Sequence, residues 1–324
     1  MKTINLVWWR FDPDSSYEYD WLNSLLSDFE VNHIIEDDTY PDRAVIVANL
    51  NQIFFSENGS RQRYNEELNQ FRRYIQGFKI RGLKVGLIHL NDELYKESTG
   101  YYKDLNFVFR QYYKEEDHKR YKNCHHLALG YKSSFTDGLV RQPISKREYF
   151  WSFAGQLKGS RYEMAKYADR IPGGKFHTTN QWNDPNGLTT KEYAALLNNT
   201  VFSLCPMGNY SVDCYRIYEA LEAGAIPIIE AKGIQECLSV LFNPQLVIKY
   251  GIWDPKFWLR NYQYWEKAYS PEFPCPLIYN WKDLGMLISS IDVESASEKI
   301  QLWWKGYKRS LTRSIQATIE ETFA

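Results

Sequence analysis

Long apolar runs are missing from this sequence of 324 residues, in which no stretch approaches the roughly 18 consecutive apolar residues of a membrane-spanning helix. The first residues hold only a short apolar run, Ile4 to Trp9, which soon meets Arg10 and Asp12. We therefore expect neither a signal peptide nor a membrane anchor, and a cytoplasmic location. Paired cysteines are missing too, because the five cysteines are an odd number without a CxxC spacing. Neither a disulfide framework nor a zinc site is expected.

An excess of either charge is the third absence. Lysine and arginine number 39 against 40 aspartates and glutamates, which leaves a formal net charge of −1. Without a basic field, nucleic acid is not an expected partner, and any phosphate-binding site must be local. Aromatic residues, by contrast, are abundant at 16% of the chain. We assign their dense groups, Trp253 to Trp258 and Trp303-Trp304, to the core or to domain docking, with sugar stacking as the alternative.

Short apolar segments alternate with helical ones along the chain, which is the pattern of parallel sheets covered by helices. The predicted strands of the first half are Ile4 to Trp9, Val31 to Ile35, Ala44 to Ala48, Lys84 to His89, Asn106 to Arg110 and His126 to Leu129. Those of the second half are Tyr149 to Ala154, Gly174 to His177, Val201 to Cys205, Ile226 to Ile229 and Leu246 to Lys249. The predicted fold class is therefore α/β.

Apolar residues at helical spacing predict the helices that join these strands. The predicted helices are Arg61 to Ile80, Ser160 to Ala168, Thr190 to Asn198, Asp213 to Ala223 and Ser297 to Thr322. The segment Gly130 to Lys146 is rich in Ser, Gly and Pro and has no periodic apolar face, which indicates a linker. We predict one Rossmann-like domain over residues 1–146 and a second over 147–296. A C-terminal helix over 297–324 would then pack back on the first domain.

A first loop of chemical interest runs from Gly155 to Arg161, leaving a predicted strand and entering a helix. Its glycines permit close approach of the backbone to a ligand, and Lys158 and Arg161 place positive charge at a helix N-terminus, where phosphate binds. The loop lacks the G-K-[ST] ending of a Walker motif. The alternative reading is a glycine turn with two solvated cations.

A second loop, Pro206 to Asp213, precedes a helix that Asp213 is predicted to cap and that Gly224 ends. Arg216 would stand in the first turn, where the helix dipole disfavours a cation, so its presence indicates an anionic ligand. Glu219 would follow one turn later, within reach of a ribose hydroxyl pair. The alternative for both residues is a surface ion pair at i,i+3 spacing.

The run from Leu204 to Ile229 resembles the exostosin-type family of inverting glycosyltransferases, which includes the ribitol xylosyltransferase of dystroglycan glycosylation. The most specific part is the Cys, Pro, Gly, Asp, Arg and Glu pattern that leads into Ala-Gly-Ala-Ile-Pro at residues 223–227. The first loop and the segments 109–113 and 129–135 share the resemblance, which covers roughly residues 85 to 230.

The resemblance implies a GT-B fold, with two Rossmann-like domains facing across a cleft and a nucleotide-diphosphate sugar held mainly by the second. It also implies an enzyme without a metal or other cofactor that inverts the anomeric centre. We expect a UDP-sugar donor and a glycan or polyol-phosphate acceptor. Animal members carry a membrane anchor and act in the Golgi, whereas here we expect an enzyme peripheral to the membrane where glycans are assembled. The alternative is a non-catalytic nucleotide-sugar or carbohydrate-binding protein on the same scaffold.

The departing diphosphate must be stabilised by a metal or by fixed cations. The one D-x-D sequence considered, Asp12-Pro13-Asp14, is interpreted as a loop turn because of its proline. Arg161 and Arg216 are therefore the candidates for the diphosphate, since planar guanidinium groups suit such oxygens. The other candidate donor contacts are Gly155, Gln156, Lys158, Asn209, Ser211, Asp213 and Glu219.

Inversion also needs a general base on the acceptor side. We choose Asp92, with Glu93 next, because the predicted strand Lys84 to His89 delivers both to the carboxyl edge of the sheet. Arg110 and Lys132, just beyond strands, are candidates for acceptor or diphosphate contacts, or are solvated surface cations. The other candidate bases are Asp12, Glu36, Asp37 and His89, of which His89 has a hydrogen-bonded structural role as its alternative.

Overall fold

The chain divides into two compact units in the computed structural model, which describes residues 2–36, 38–50, 61–181, 184–234, 259–269 and 272–324. The first unit comprises Met1–Leu129 and Lys308–Ala324, and the second comprises Gly130–Tyr307. The segment predicted as a linker, 130–146, thus lies within the second unit.

A six-stranded parallel sheet forms the centre of the first unit, in the order β2-β1-β3-β4-β5-β6 within the described ranges. Its strands are β1 Lys2–Trp8, β2 Phe29–Ile35, β3 Ala44–Ala48, β4 Val85–His89, β5 Phe107–Arg110 and β6 Cys124–His126. Five of the six lie where the sequence predicts strands, whereas β6 shares only His126 with the predicted strand His126 to Leu129. Every residue of β3 and β4 is buried, as expected for central strands of a parallel sheet with both faces covered.

The second unit has a five-stranded sheet in the order β11-β10-β9-β7-β8, again counted over the described residues. Its strands are β7 Tyr149–Gln156, β8 Gly174–Thr179, β9 Thr200–Cys205, β10 Ile226–Glu230 and β11 Leu277–Ile278. All of its pairings are parallel, so the α/β class with two Rossmann-like units is confirmed. Strand β11 was not predicted, and the predicted strand Leu246 to Lys249 lies outside the described residues.

Helices connect the strands of both units. They are α1 Tyr19–Leu25, α2 Arg61–Ile80, α3 Glu115–Arg120, α4 Ser160–Ala168, α5 Thr190–Asn198, α6 Tyr215–Ala223, α7 Tyr264–Tyr269, α8 Leu284–Ser289 and α9 Val293–Phe323. The predicted bounds of α2, α4 and α5 coincide with these, and α5 begins with a capping box between Thr189 and Glu192. None of the described helices has the length and apolar character needed to cross a membrane.

Aromatic side chains fill much of both cores. In the first unit, helix α2 packs Tyr64, Phe71 and Tyr74 against the sheet. In the second unit, Trp304 of α9 is 1% exposed, and its ring centroid lies 5.8 Å from that of Tyr218. The predicted core role of Trp304 is thereby confirmed, while the group 253–258 lies outside the described residues.

Candidate functional site

The strand order of the second sheet marks where a ligand crevice is expected. Strand β7 lies between β8 and β9, so the connections from β7 to β8 and from β8 to β9 run in opposite directions along the sheet. In open α/β sheets, ligands bind outside the carboxyl ends of the strands at such a reversal. The first loop follows β7 and the second follows β9, so both predicted donor loops lie at this point.

Arg161 ties the two loops together. Its Nη1 donates to the carbonyl oxygen of Gln156 at 3.0 Å, and its Nη2 donates to that of Met207 at 3.0 Å. The residue is only 5% exposed. These contacts give Arg161 a clear structural role in joining the loops, while its predicted contact with a diphosphate stays a prediction.

Arg216 reaches from the first turn of α6 to the end of β7. Its Nε lies 3.4 Å from the carbonyl oxygen of Ala154, and its guanidinium carbon lies 5.4 Å from the centroid of the Phe153 ring. Gly155 has φ +136°, and a Cβ there would lie 3.5 Å from Arg216 Nη2. The glycine therefore lets the backbone turn beside the guanidinium without a side chain in between. The structure brings these two predicted residues together.

Glu219 and Lys132 meet on the flank of α6. The Glu219 carboxylate accepts a hydrogen bond from the backbone N–H of Lys132 at 3.4 Å, and Lys132 Nζ lies 6.0 Å from the ring centroid of Tyr215. Burial raises the pKa of Glu219, although the charges of Lys132 and Arg216 oppose this shift. Within the described ranges no ion pair closer than 4.0 Å joins Glu219 to Arg216, so the surface-pair alternative is not what the structure has.

The tips of the two loops are joined by a hydrogen bond from Lys158 Nζ to Asn209 Oδ1. Asn209 is exposed, whereas Ser211 is fully buried and its Oγ accepts from the backbone N–H of Asp213 at 3.1 Å. Gln156 donates from Nε2 to the carbonyl oxygen of Asn180 at 2.7 Å. Of these predicted contacts, Lys158 and Asn209 therefore lie toward solvent and Ser211 shapes the loop from inside.

The predicted cap of α6 by Asp213 is wrong. The helix begins at Tyr215, and its N-cap residue, Cys214, makes no side-chain capping bond. The Asp213 carboxylate instead accepts hydrogen bonds from the hydroxyl groups of Tyr218 at 2.7 Å and Tyr264 at 2.8 Å. Since Asp213 is 0% exposed, it supports the loop from the core and does not line its surface.

Asp92, the predicted general base, lies in a buried ion-pair network of the first unit. Its Oδ2 accepts from Arg110 Nη2 at 3.0 Å, and its Oδ1 accepts from the backbone N–H groups of Lys96 and Glu97 at 3.0 and 3.3 Å. Burial alone would raise the pKa of Asp92, but Arg110 and further cations outweigh it, so the pKa lies below its ordinary value. With 1% exposure and both oxygens bonded, Asp92 has a structural geometry, which corrects our choice of base.

Arg110 is the centre of the same network. It is 0% exposed, and its Nη1 donates to Asp117 Oδ2 at 3.0 Å while its Nε contacts two backbone carbonyl oxygens. Glu93 is 8% exposed, and His89 has Nε2 at 2.8 Å from the Glu97 carboxylate. Arg110 is therefore neither a solvated surface cation nor placed to meet an acceptor, and His89 has the structural role given as its alternative.

The strand order of the first sheet explains why these positions are unsuitable. Strand β1 lies between β2 and β3, so the reversal falls at the ends of β1 and β3 and not at β4. Arg10 follows β1 there, with Nε 3.3 Å from Glu36 Oε2. Asp12 is exposed and caps a short 3-10 helix, Pro13–Ser15, which confirms the interpretation of Asp12-Pro13-Asp14 as a turn. The alternative base Asp37 lies outside the described residues.

Comparison with known proteins identifies the family of this chain. The family model described as the RXYLT1 C-terminal domain matches residues 110–324. The chain belongs to the RXYLT1 C-terminal domain family. This confirms the resemblance to glycosyltransferases related to the ribitol xylosyltransferase.

Individual relatives match over shorter stretches. Ribitol-5-phosphate xylosyltransferase 1 of Mus musculus is 27% identical over 143 residues, which are 41% of this chain and 28% of the relative. The protein of the same name from Danio rerio is 22% identical over 198 residues, 57% of this chain and 41% of the relative. The chain therefore spans less than half the length of these two relatives. A crystal structure of an alpha1,3-fucosyltransferase covers 96% of this chain and 81% of its own, with 10% identity and a TM-score of 0.42, too low to bear on the fold.

The RXYLT1 region includes every predicted site residue from Arg110 to Glu219, whereas Asp92 and Glu93 precede it. Within this region, two buried residues that support the second loop were not predicted. Asn261 accepts at Oδ1 from the N–H of Val212 at 2.9 Å and donates from Nδ2 to the carbonyl oxygen of Tyr210 at 3.1 Å. Glu230 ends β10 and accepts from the N–H of Met207 at 3.0 Å. A charged residue at the end of an apolar strand was the available signal for Glu230.

Across the described ranges, no group of three or more His, Cys, Asp or Glu side chains is arranged to hold a metal ion. The four cysteines that the structure describes, Cys124, Cys205, Cys214 and Cys275, are free and buried.

Proposed function

We propose that this chain is an inverting glycosyltransferase that moves a sugar from a nucleotide-diphosphate sugar to a hydroxyl group of a glycan or polyol-phosphate acceptor. The observation that carries the proposal is Arg216, a half-buried cation at the strand-order reversal of the second sheet. The names of the relatives in the RXYLT1 family, which are xylosyltransferases, support the same reaction class.

The charge around Arg216 suits an anionic leaving group. Its contacts are the carbonyl oxygen of Ala154, the sulfur of Cys214 and the ring of Phe153, none of which carries a carboxylate. A nucleoside diphosphate gains negative charge as the glycosidic bond breaks, and a fixed guanidinium stabilises that charge without reorganisation. We propose that Arg216, together with Lys158 of the first loop, performs this task without a metal ion, and that the donor is a UDP-sugar.

Glu219 and Lys132 complete the donor side of the proposal. The Glu219 carboxylate is 3% exposed and lies one turn after Arg216 on α6, where it would accept hydrogen bonds from ribose hydroxyl groups. The contact from the N–H of Lys132 holds this carboxylate in place. Asn209, at the tip of the second loop, is a further contact for base or sugar.

For the general base we propose Asp12. Of the candidate bases that the structure describes, Asp12 alone is exposed, whereas Glu36 is half-buried and His89, Asp92 and Glu93 are buried. Its Oδ1 accepts from the N–H of Asp14, whereas in Glu36 one oxygen accepts from Asp38 and the other from Arg10. A base that takes the proton of an acceptor hydroxyl needs an oxygen open to that hydroxyl.

The test begins with a thermal-shift screen against diphosphate sugars of uridine, guanosine, cytidine and thymidine. A ligand that binds only the folded state raises the free energy of unfolding, by about 2.7 kcal/mol when its concentration is a hundred times Kd, and the melting temperature rises with it. We expect the uridine diphosphate sugars to give the largest shift in melting temperature. In a transfer assay with that donor, we expect the sugar to reach a glycan or polyol-phosphate acceptor with inverted configuration at the anomeric carbon. Tight binding with no turnover across the acceptor panel would instead identify a non-catalytic binding protein, and no shift with any nucleotide would contradict both.

A further inference from the structure

Glu230 is a buried carboxylate beneath the two donor loops. It is 2% exposed and stands at the carboxyl end of β10, where its Oε2 accepts from Ser160 Oγ at 2.7 Å and from the N–H of Met207 at 3.0 Å. Trp281 Nε1 lies 3.3 Å from the same oxygen, and Lys232 Nζ donates to Oε1. All four donors therefore converge on one carboxylate.

Two of these donors come from the two loops. Ser160 lies in the first loop, directly after Gly159, and is the first residue of α4, whereas Met207 is the second residue of the second loop. Met207 is held at both of its backbone polar groups, because its N–H donates to Glu230 and its carbonyl oxygen accepts from Arg161. The path from Glu230 through Met207 to Arg161 thus fixes one loop against the other.

The carboxylate is suited to this task because it is ionised. Burial alone would raise the pKa of Glu230, but Lys232 and the hydrogen bonds from Met207 and Ser160 outweigh it, and the pKa lies below its ordinary value. An ionised carboxylate only accepts hydrogen bonds, which matches four converging donors. A protonated or amide side chain would have to donate as well.

We infer that Glu230 is a positioning residue that sets the spacing between the first and second loops. This spacing in turn determines the affinity for the nucleoside diphosphate. Its effect on ligand affinity rests on the proposed function, whereas its effect on loop order does not. Glu230 itself lies beneath the crevice, so it would affect the ligand only through the positions of the two loops and not by direct contact.

The test uses the full chain and a charge-balanced variant. Glu230→Gln alone leaves the buried Lys232 without this carboxylate and is at risk of not folding. The combined variant Glu230→Gln with Lys232→Met removes both charges. The Gln oxygen has two lone pairs and no charge, so it can accept at most two of the three hydrogen bonds that Oε2 accepts, and each of them more weakly. The matched control is Glu222→Gln, a glutamate on α6 that is 3% exposed and accepts from Trp304 Nε1 at 3.0 Å, away from both loops.

The first measurement is amide hydrogen exchange of the ligand-free proteins. We expect exchange of residues 157–160 and 207–213 to accelerate about 10- to 100-fold in the combined variant, as for the loss of a hydrogen bond to a charged group, and the rest of the unit to stay protected. In Glu222→Gln both loops should exchange as in the wild type. Unchanged exchange in the loops, or a uniform increase throughout the unit, would overturn the inference.

The second measurement is the Kd for UDP and GDP, together with steady-state kinetics where transfer occurs. We expect the Kd and the donor KM to rise about tenfold or more, with the acceptor KM unchanged, a split that general destabilisation would not produce. Loops that exchange faster while Kd stays at the wild-type value would overturn the inference. If the wild type binds neither nucleotide, the proposed function fails, and the exchange measurement alone decides whether Glu230 orders the loops.

Discussion

Arg216 shows how one residue carries the functional argument. A cation in the first turn of a helix is disfavoured by about 0.3 to 1 kcal/mol, and α6 places Arg216 second in its sequence. The side chain then leaves the helix and lies against the end of β7, beside a glycine that leaves room for it. This placement is the basis for proposing that Arg216 binds the diphosphate.

We predict that Arg216→Ala reduces transfer about 100- to 1,000-fold, because a fixed donor to a developing negative charge is lost. Arg216→Lys should recover part of the rate, since it keeps the charge but not the planar fork. Steady-state kinetics with the donor found in the thermal screen checks both variants.

The control is Arg170→Ala, an exposed arginine of the same unit that lies over the ring of Tyr167. It should transfer at the wild-type rate. Normal turnover by Arg216→Ala, with donor bound, would remove Arg216 from the mechanism.

Asp92 illustrates the opposite outcome, in which a chemically capable residue is used for structure. Its partner Arg110 is shared with Asp117, and the three side chains are 6% exposed or less. Removing one member of a buried ion pair leaves an uncompensated charge.

We predict that Asp92→Asn lowers the free energy of unfolding by about 3 kcal/mol, at the low end for a broken buried pair because Arg110 keeps Asp117. The surface pair Lys79–Asp104 provides the control, and Asp104→Asn should cost about 0 to 1 kcal/mol. Urea unfolding measures both values.

Comparing Asp92→Asn with Asp12→Asn distinguishes the structural role of Asp92 from the catalytic role proposed for Asp12. Asp12→Asn should unfold like the wild type but transfer about 100-fold more slowly or worse, as expected for loss of a general base. An Asp92→Asn variant with wild-type stability and no transfer would restore Asp92 as the base.

At the scale of the element, helix α6 is defined most sharply at its C-terminal end. Gly224 adopts the left-handed conformation with φ +72°, as the sequence predicts, and the next strand begins at Ile226. Arg147 joins the ends of two helices, because its Nη2 donates to the carbonyl oxygen of Ala223 at 2.7 Å and its Nη1 to that of Leu197 at 3.1 Å.

We predict that Gly224→Ala destabilises the protein by about 1 to 2 kcal/mol, because a left-handed residue with a Cβ is strained. The added Cβ would also lie 3.1 Å from Arg147 Nη2. Gly285→Ala on α8 is the matched control, since its Cβ meets nothing within 4 Å and should be neutral or stabilising by about 0.5 to 1 kcal/mol. Equal unfolding free energies for the two variants would contradict the prediction.

Elements with clear periodicity could be predicted from sequence. The spacing of Tyr64, Leu68 and Phe71 predicted the bounds of α2. The apolar runs predicted nine of the described strands, and the predicted strand His126 to Leu129 overlaps β6 at His126 alone. The two-residue strand β11 is too short to carry a pattern. The two loops were chosen as candidate donor sites because glycines, cations and a helix start coincide there.

The general base and the supporting residues were harder to predict for a physical reason. Which strand ends flank a crevice depends on the order of strands in the sheet, and apolar periodicity does not encode that order. The sequence therefore pointed to β4 although the reversal lies at β1 and β3. Glu230 and Asn261 act through contacts with residues far away in sequence, so local patterns gave no sign of their partners.

At the scale of the whole molecule, the buried network around Asp92 predicts acid sensitivity. The pKa of Asp92 lies below its ordinary value of 3.8 in the folded protein, so the unfolded chain binds more protons at low pH. The stability that Asp92 contributes is therefore fully present above about pH 4 and is lost as the pH falls below that value.

Urea unfolding from about pH 7 down to about pH 3 tests this expectation. Below the ordinary pKa of Asp92, we expect the unfolding free energy of the wild type to fall more steeply with pH than that of Asp92→Asn. The variant has no carboxylate at this position to take up a proton. Parallel curves for the two proteins would contradict it.

Helix α9 has a consequence for how the protein is made. Residues 308–324 belong to the first unit. There Glu320 Oε1 lies 3.1 Å from Lys2 Nζ, and the ring centroids of Phe323 and Phe107 are 6.3 Å apart. Domains generally fold in order of synthesis, with the N-terminal one first. Here the second unit has all of its residues when Tyr307 leaves the ribosome, whereas the first unit, although begun earliest, must wait for residues 308–324. The later-synthesised unit can thus be the first to reach its complete structure during translation.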